Sequence, residues 1–201
     1  MKTVVLATNN VHKVSEITNA LDFPGWEFKT LSELGIDSDP VEDDDTFLGN
    51  ACIKAYAAHE ASGGMAALAD DSGLVVDALG GAPGVYSSRF AGEDATDEDN
   101  NAKLLADLAD VPDEKRTARF VCTLVFVDED GAETLARGTI EGVIGHAPQG
   151  DGGFGYDPLF WPDVFEGACT LAEVPQERKN EVSHRGNALR QLRARLEKSL
   201  G

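Results

Sequence analysis

The chain has 201 residues, of which 36 are Asp or Glu and 17 are Lys or Arg, so its formal net charge is −19 at pH 7. This charge argues against a nucleic-acid partner, which would be repelled, although local basic groups and a divalent metal can still hold a small phosphorylated ligand. No apolar run approaches the roughly 20 residues that span a bilayer, so no membrane partner is expected either.

The cysteines and the first residues indicate the compartment. Three cysteines lie far apart without a Cys-x-x-Cys pair, which is typical of reduced thiols in a cytoplasmic protein. The apolar run at the N-terminus is too short for a signal peptide. We therefore expect a cytoplasmic location.

The acidic excess also predicts a salt requirement. Repulsion among many carboxylates destabilises a compact state at low ionic strength, and halophiles use this effect. We predict a protein from a salt-loving organism that needs molar salt to stay folded. The alternative is an acidic protein from a mesophile.

The chain opens in the order strand, polar turn, helix, strand, which is typical of an α/β domain. Residues 4–7 and 26–31 predict buried strands, and Asn10 can cap the helix between them. The polar turn at 8–13 offers backbone N–H groups at a helix start beside one Lys, a combination that binds phosphates. Asn-rich turns also cap helices where no ligand binds.

A helix is predicted at 46–62, after an acidic loop. Thr46, Asn50 and Lys54 are spaced four residues apart and share one face of that helix, and a Lys beside Asn and Thr suits an anion. Solvated helix faces often have the same composition. Glu42, just before the helix, is a candidate metal ligand, and its alternative is a solvated loop carboxylate.

Two adjacent carboxylates, Asp70 and Asp71, follow an apolar run and precede Ser72 and Gly73. If the strand continues through them, their side chains point to opposite faces of the sheet. If it stops at Asp70, the pair lies in a bend that Gly73 makes easy. Either arrangement holds a carboxylate rigidly beside a core, where it suits a hard cation such as Mg²⁺. The alternative is a strand that ends in a polar turn.

The second half of the chain predicts a hairpin and a glycine-rich stretch. Alternating runs at 117–127 and 133–144 flank an Asp-Glu-Asp-Gly turn, so the sheet is expected to be mixed. Residues 149–160 combine glycines, which allow close backbone approach, with aromatic rings that could stack on a base; the alternative is a flexible loop. The last helix is predicted to turn four leucines inward: Leu189, Leu192, Leu196 and Leu200.

Six motifs stand in order along the chain. They are TNNVHK at 8–13, TFLGNACIKA at 46–55, ADDSGL at 69–74, GGAPG at 80–84, GFGYDP at 153–158 and SHRGNAL at 183–189. Together they resemble the inosine triphosphate pyrophosphatases, which cut ITP, dITP and XTP to monophosphates, and the resemblance covers nearly the whole chain. One departure is Gly49, where the family usually has Glu, and we expect it to weaken the helix slightly.

The resemblance implies an α/β fold with an elongated mixed β-sheet and flanking helices. It implies a single ITPase-like domain, residues 1–201, of two lobes with the active-site cleft between them, usually in a homodimer. It also implies Mg²⁺ held by Glu42 and Asp71, with Asp71 as proton acceptor and Ser72 at the substrate. The residues implied to hold the triphosphate are Thr8, Asn9, Asn10, Val11, His12, Lys13 and Lys54. Those implied to form the base pocket are Phe154, Gly155, Tyr156, Asp157, Lys179, His184 and Arg185.

Hydrogen-bond sense then predicts the selectivity. Hypoxanthine and xanthine present a 6-carbonyl acceptor that Arg185, protonated His184 or a backbone N–H can satisfy. Adenine's 6-amino group would set donor against donor, which costs about 1–3 kcal/mol per buried unpaired group. Guanine shares the 6-carbonyl, and its rejection needs a contact with the 2-amino group.

Two other functions remain open. The chain could bind nucleotides as a sensor without hydrolysing them, although Asp70, Asp71 and Glu42 argue against that. It could also be a metal-dependent phosphatase that acts through a covalent aspartyl phosphate. Release of pyrophosphate rather than orthophosphate from ITP would exclude the second alternative.

Overall fold

A computed structural model of the chain describes residues 1–200, and the side chain of Leu200 lies outside the described part. The strands are β1 (Lys2–Leu6), β2 (Trp26–Thr30), β3 (Ala66–Val76), β4 (Thr117–Val127), β5 (Glu133–Ile144) and β6 (Phe160–Pro162). The helices are α1 (Val11–Ala20), α2 (Phe47–Ala61), α3 (Asp97–Asp107), α4 (Gln176–Val182) and α5 (His184–Leu200). No helix in this part of the chain is long and apolar enough to cross a membrane.

The strands form one six-stranded sheet in the order β2-β1-β3-β4-β5-β6. Strand β1 pairs in parallel with both β2 and β3, whereas β5 and β6 pair antiparallel. Parallel neighbours need crossover connections, and α1 and α2 supply them between β1 and β2 and between β2 and β3. The predicted α/β class with a mixed sheet and flanking helices is therefore confirmed.

Local signals placed several elements correctly. The side chain of Asn10 accepts hydrogen bonds from the backbone N–H groups of His12 and Lys13 and so caps α1. The caps of α2 are Thr46 and Ser62. Strands β4 and β5 have the predicted limits.

Strand β3 continues without interruption through Asp70, Asp71, Ser72 and Gly73. The alternative of a bend at Gly73 is therefore wrong. Because side chains alternate along a strand, Asp70 shares one face of the sheet with Ala66 and Leu68, and Asp71 shares the other face with the intervening alanines.

The chain divides into two compact units. The first comprises Met1–Asp71, Cys122–Gly138 and the segment from Arg185 onward. One of its clusters packs α1 and α5 on one sheet face, and its buried residues include Ile17, Leu21, Leu189, Leu192 and Leu196. The other packs α2 on the opposite face through Ala51, Ala55 and Ala58, whose small side chains allow close approach.

The second unit comprises Ser72–Val121 and Thr139–His184. Its core joins α3 to the strands through Leu104, Leu108, Ile140 and Phe160, all buried. The domain of residues 1–201 that the resemblance implies stays a prediction.

Candidate active site

Asp70 is the centre of a buried charge network in the first unit. Its Oδ1 accepts a hydrogen bond of 2.6 Å from Lys13 Nζ, and its Oδ2 accepts one of 2.7 Å from Arg185 Nε. The thiol of Cys122 lies 3.3 Å from the same Oδ2. Arg185 Nη1 in turn donates to Glu16 Oε2 at 2.7 Å, and Arg185 is only 2% exposed. The network therefore ties α1, β3, β4 and α5 together.

The surrounding cations keep Asp70 ionised. Burial by itself raises the pKa of this carboxyl, but the charges of Arg185 and Lys13 outweigh burial and hold the pKa well below its ordinary value. Arg185 likewise keeps its proton because Asp70 and Glu16 outweigh the effect of burial, so its pKa is raised. Asp70 therefore holds two cations in place and offers little basicity for chemistry.

Asp71 meets a different set of groups on the opposite face of β3. Its Oδ1 accepts a hydrogen bond of 2.8 Å from Lys54 Nζ, and the same ammonium lies 2.8 Å from Glu42 Oε2. Its Oδ2 is buried and has no hydrogen-bond partner within residues 1–200. Two carboxylates thus converge on one ammonium group, and one carboxylate oxygen is left for another ligand.

The pKa of Asp71 is raised above its ordinary value. Burial is the largest cause; the charges of Lys54 and Lys13 oppose it, and Glu42 adds to it. Burial lowers the pKa of Lys54, but Asp71 and Glu42 outweigh that effect and raise it, so Lys54 stays protonated. A carboxylate with a raised pKa is a better proton acceptor near neutral pH than an ordinary Asp.

The acidic side chains at Lys54 suit a hard divalent cation. In the part of the chain that the structure describes, no three His, Cys, Asp or Glu side chains gather as a ready-made metal site. Mg²⁺, however, is usually held by one or two carboxylates and completes its shell with water and substrate phosphates. Glu42 and Asp71, with its unpartnered buried oxygen, fit that ligand set.

The polar turn before α1 is organised by its own side chains. Asn10 Oδ1 accepts from the N–H groups of His12 and Lys13 at 3.0 and 3.2 Å. Thr8 Oγ1 accepts from Asn10 N at 3.2 Å, and Val11 is 73% exposed. Asn9 Oδ1 accepts from a serine hydroxyl after β2 at 3.2 Å. The side chain of Asn10 therefore occupies the backbone N–H groups of His12 and Lys13, two of the groups predicted to hold phosphate. The side-chain ammonium of Lys13 is bound to Asp70.

In the second unit, Asp157 gathers two of the residues predicted to bind the base. Its Oδ2 accepts from Lys179 Nζ at 2.5 Å and from Phe154 N at 2.9 Å, and Asp157 and Lys179 are both buried. The Lys179 ammonium lies 4.6 Å from the centre of the Phe154 ring. Gly153 makes room for this carboxylate, because its φ is +75° and a Cβ there would lie 2.1 Å from Asp157 Oδ2.

Further hydrogen bonds fix the stretch around Asp157. The alternative of a flexible loop therefore does not describe it. Tyr156 OH donates to Ser87 O at 2.7 Å in a buried contact. Gly155 donates through its N–H to Asp97 at 2.6 Å and accepts through its carbonyl from Asn101 at 2.9 Å. Its backbone is therefore presented in one defined conformation.

The other residues predicted for the base pocket have separate surroundings. His184 is buried and stacks on Phe120, with ring centres 4.9 Å apart. Ser72 is half-buried within β3. Arg185 belongs by its contacts to the Asp70 network of the first unit.

Sequence reasoning missed two members of the Asp70 network: Glu16, which pairs with Arg185, and Cys122, which contacts Asp70. Glu16 follows Lys13 by three residues, so the two share a face of α1, and that spacing was the only local signal. Cys122 lies in β4, and its contact with Asp70 spans 52 positions. No local pattern predicts such a contact.

Comparison with known proteins adds four likenesses. A model of the Ham1 family matches residues 4–195. A dITP/XTP pyrophosphatase of Desulforamulus reducens is 51% identical over 187 residues, which cover 93% of this chain and 92% of the relative. One of Shigella flexneri is 49% identical over 194 residues, 96% of each chain. The solved structure of a HAM1 protein from Coxiella burnetii superimposes with a TM-score of 0.90 at 40% identity, covering 98% of this chain and 100% of that one.

Proposed function

The chain belongs to the Ham1 family, and we propose that it is a nucleoside triphosphate pyrophosphatase that hydrolyses dITP, ITP and XTP to the monophosphate and pyrophosphate. Curated relatives named for dITP and XTP support the substrate class, because they align over almost their whole length with this chain. Removal of these nucleotides from the pool is the corresponding role.

The observation that carries the proposal is the centre formed by Asp71, Lys54 and Glu42. It joins a carboxylate of raised pKa to an ammonium within hydrogen-bond distance and leaves one buried carboxylate oxygen without a hydrogen-bond partner among the described residues. Phosphoryl transfer needs few covalent contributions from a protein. It needs positioned water, a proton acceptor and cations near the phosphates.

Asp71 acts as the proton acceptor. The oxygen of a water molecule attacks one phosphorus of the α–β anhydride, and the bond from that phosphorus to the bridging oxygen breaks. The water proton passes to Asp71, and the electron pair of the broken bond leaves with the bridging oxygen. The products are the nucleoside monophosphate and pyrophosphate. Lys54 and Lys13 offset negative charge on the leaving group.

Mg²⁺ is the proposed cofactor, with Glu42 and Asp71 as its protein ligands. Bound there, the ion supplies positive charge to phosphate oxygens and lowers the pKa of coordinated water. Lys54 lies between the two carboxylates and keeps their charges from repelling each other before a ligand binds.

The base is recognised by the residues around Asp157. Phe154 provides an aromatic face, and Lys179, held by Asp157, provides a fixed donor beside it. A donor suits the 6-carbonyl of hypoxanthine or xanthine and not the 6-amino group of adenine. Arg185 and His184 are the further proposed donors, and Ser72 is proposed to lie at the substrate.

Four wider properties are also proposed. The homodimer rests on the family resemblance; the cytoplasmic location, the lack of a nucleic-acid partner and the halophilic origin rest on the sequence. The protein is a cytoplasmic homodimer, which light scattering tests as a mass of about twice the 21.4 kDa chain. No nucleic acid binds it. It comes from a halophile, since repulsion among the carboxylates behind its formal net charge of −19 opposes folding unless salt screens them. Thermal unfolding followed from low salt to several molar KCl should show a rising midpoint; a flat or falling one would contradict the halophilic origin.

Product identification tests the activity. The purified full chain is incubated with Mg²⁺ and a panel of dITP, ITP, XTP, GTP and ATP, and the phosphate product is identified. We expect pyrophosphate, with the 6-oxo non-canonical nucleotides cleaved fastest. Orthophosphate would point to an aspartyl-phosphate enzyme, and binding without turnover would point to a sensor.

Asp71→Asn is the matching variant. It should keep the fold and lose activity by about 10²-fold or more, because the proton acceptor is gone. Asp43→Asn removes one charge from the exposed acidic loop and serves as the control. Near wild-type turnover in a folded Asp71→Asn protein would refute the assignment.

A further inference from the structure

The acidic loop (residues 37–45) is fastened to the first turns of α2. Asp44 Oδ1 accepts from both the N–H and the hydroxyl of Thr46, at 2.8 and 2.6 Å. Asn50 binds the backbone of Asp44 from both sides: its Oδ1 accepts from Asp44 N at 3.1 Å, and its Nδ2 donates to Asp44 O at 3.0 Å. Asn50 is only 1% exposed, so the loop is held by a buried amide.

Gly49 supplies the room for this arrangement. A Cβ built at Gly49 would lie 1.9 Å from Asp44 Cγ and 2.2 Å from each carboxylate oxygen. These atoms cannot overlap, so the Asp44 carboxylate fills the space of a side chain at position 49. Gly49 therefore faces an acidic side chain from the preceding loop.

The fastened loop also carries Glu42. Two residues before Asp44, Glu42 meets Lys54 Nζ at 2.8 Å, and Lys54 lies one helical turn after Asn50. The loop is thus fixed to α2 at two neighbouring points, and the second point is one of the proposed metal ligands.

We propose that Asp44 is a positioning residue: by filling the space at Gly49 and binding Thr46, it holds Glu42 where it meets Asp71 at Lys54. The latch of Asp44, Thr46, Gly49 and Asn50 stands on contacts alone, whereas its effect on metal binding rests on the proposed function. Asp44 acts through Glu42 and is not itself assigned to the metal.

The loop offers a matched control. Asp43 is exposed, carries the same charge and makes no hydrogen bond or ion pair with any described residue. Asp43→Ala therefore removes the charge without removing a contact. Asp44→Asn likewise removes a charge and keeps the contacts, because its amide oxygen can accept the same two hydrogen bonds from Thr46. Asp44→Ala removes both the charge and the contacts.

The first test uses stability and needs no ligand. Ala is normally preferred over Gly inside a helix. Gly49→Ala should nonetheless lower the melting temperature of the wild-type protein, because the new Cβ displaces Asp44. In an Asp44→Ala background, the same substitution should raise it. A rise in both backgrounds would overturn the latch.

The second test measures Mg²⁺ binding by calorimetry, on the full chain with a non-hydrolysable ITP analogue. Asp44→Ala should weaken binding by about tenfold, as loss of a residue that supports a metal ligand commonly does. Asp44→Asn and Asp43→Ala should stay near the wild type. Equal losses in Asp44→Asn and Asp44→Ala would overturn positioning in favour of charge. A wild-type protein that binds no Mg²⁺ would refute the proposed metal assignment, and the sign reversal at Gly49 would still decide the latch.

Discussion

The two faces of β3 place neighbouring carboxylates in opposite situations. Asp70 receives hydrogen bonds from Lys13, Arg185 and the Cys122 thiol, and its pKa is held well below the ordinary value. Asp71 receives one from Lys54, keeps a buried oxygen without a partner among the described residues, and has a raised pKa. The saturated carboxylate suits a structural role, and the unsaturated one suits chemistry.

The difference arises from the alternation of a strand. Adjacent residues face different helices, so Asp70 meets α1 and α5 while Asp71 meets α2. Two identical side chains one position apart therefore receive different numbers of donors and cations. The same residue type therefore suits a structural role at position 70 and a chemical role at position 71.

Asp70→Asn should cause the largest loss, and the loss should be one of stability. The substitution removes the charge that Lys13 and Arg185 share and leaves Arg185 with Glu16 alone. Breaking a buried pair typically costs about 3–5 kcal/mol. Urea unfolding followed by circular dichroism measures the cost. Asp71→Asn is the control and should cost at most about 1 kcal/mol. Burial raises the pKa of Asp71, so the fold gains little from its charged form, and the Asn oxygen can still accept from Lys54. Equal losses of unfolding free energy in Asp70→Asn and Asp71→Asn would contradict the proposed division into a structural and a chemical carboxylate.

Lowering the pH gives the next largest effect. Activity, which depends on Asp71, should be lost at a higher pH than the stability that Asp70 provides. Because the pKa of Asp71 is raised, kcat/KM for ITP should fall about tenfold per pH unit below that pKa, at a pH above the ordinary value of about 3.9. Asp70 has a lowered pKa, so its stabilisation is complete above the ordinary value and is lost only as pH falls through the lowered one. Activity should therefore disappear while the protein is still folded.

Parallel measurement of the pH–rate profile and of circular dichroism checks this order. Loss of activity that coincides with unfolding would contradict it. The low-pH decline should also be reversible on return to neutral pH, since protonation of Asp71 breaks no buried pair of the Asp70 network.

Arg185→Ala should also lose stability, because it breaks the buried pairs with Asp70 and Glu16. Its effect on substrate selectivity, measured on the protein that stays folded, should be smaller. The family resemblance predicts a donor to the 6-carbonyl, so the ratio of kcat/KM for ITP over ATP should shrink about tenfold, or about 1.4 kcal/mol. Steady-state kinetics with both substrates measure the ratio. If both substrates lose equally, Arg185 serves Asp70 and Glu16, which it contacts in this structure.

Local patterns predicted most of the elements but did not decide whether β3 continues through Ser72 and Gly73. The hairpin strands and the Asn10 cap follow from alternation and capping chemistry, which act over a few residues. The strand through Ser72 and Gly73 does not, because Ser-Gly is a turn signal by itself. Membership of a six-stranded sheet outweighs that signal, as tertiary context often does in strands.

In the candidate site, too, the sequence predicted individual residues but not the contacts between residues far apart in the chain. The sequence pointed to Asp71 and Lys54 through their motifs and to Glu42 through its place just before α2, and the structure brings these three together. Arg185 reaches Asp70 across 115 positions and Glu16 across 169, and a single sequence carries no signal for such pairs. Its predicted place at the base therefore came from resemblance alone, and the network around Asp70 came from the fold.

Salt should affect the two kinds of carboxylate differently, and this is the smallest expected effect. The Debye length falls from about 30 Å at 0.01 M salt to about 3 Å at 1 M, which screens exposed charges but reaches buried pairs far less. Asp70 is 1% exposed, so the stability cost of Asp70→Asn should change by less than about 0.5 kcal/mol between the lowest salt concentration at which the wild type stays folded and several molar salt. Unfolding of wild type and variant at both salt concentrations measures the change. A stability cost that shrinks strongly with added salt would mean that water and ions reach Asp70. That result would contradict the assignment of Asp70 as the buried structural carboxylate of β3.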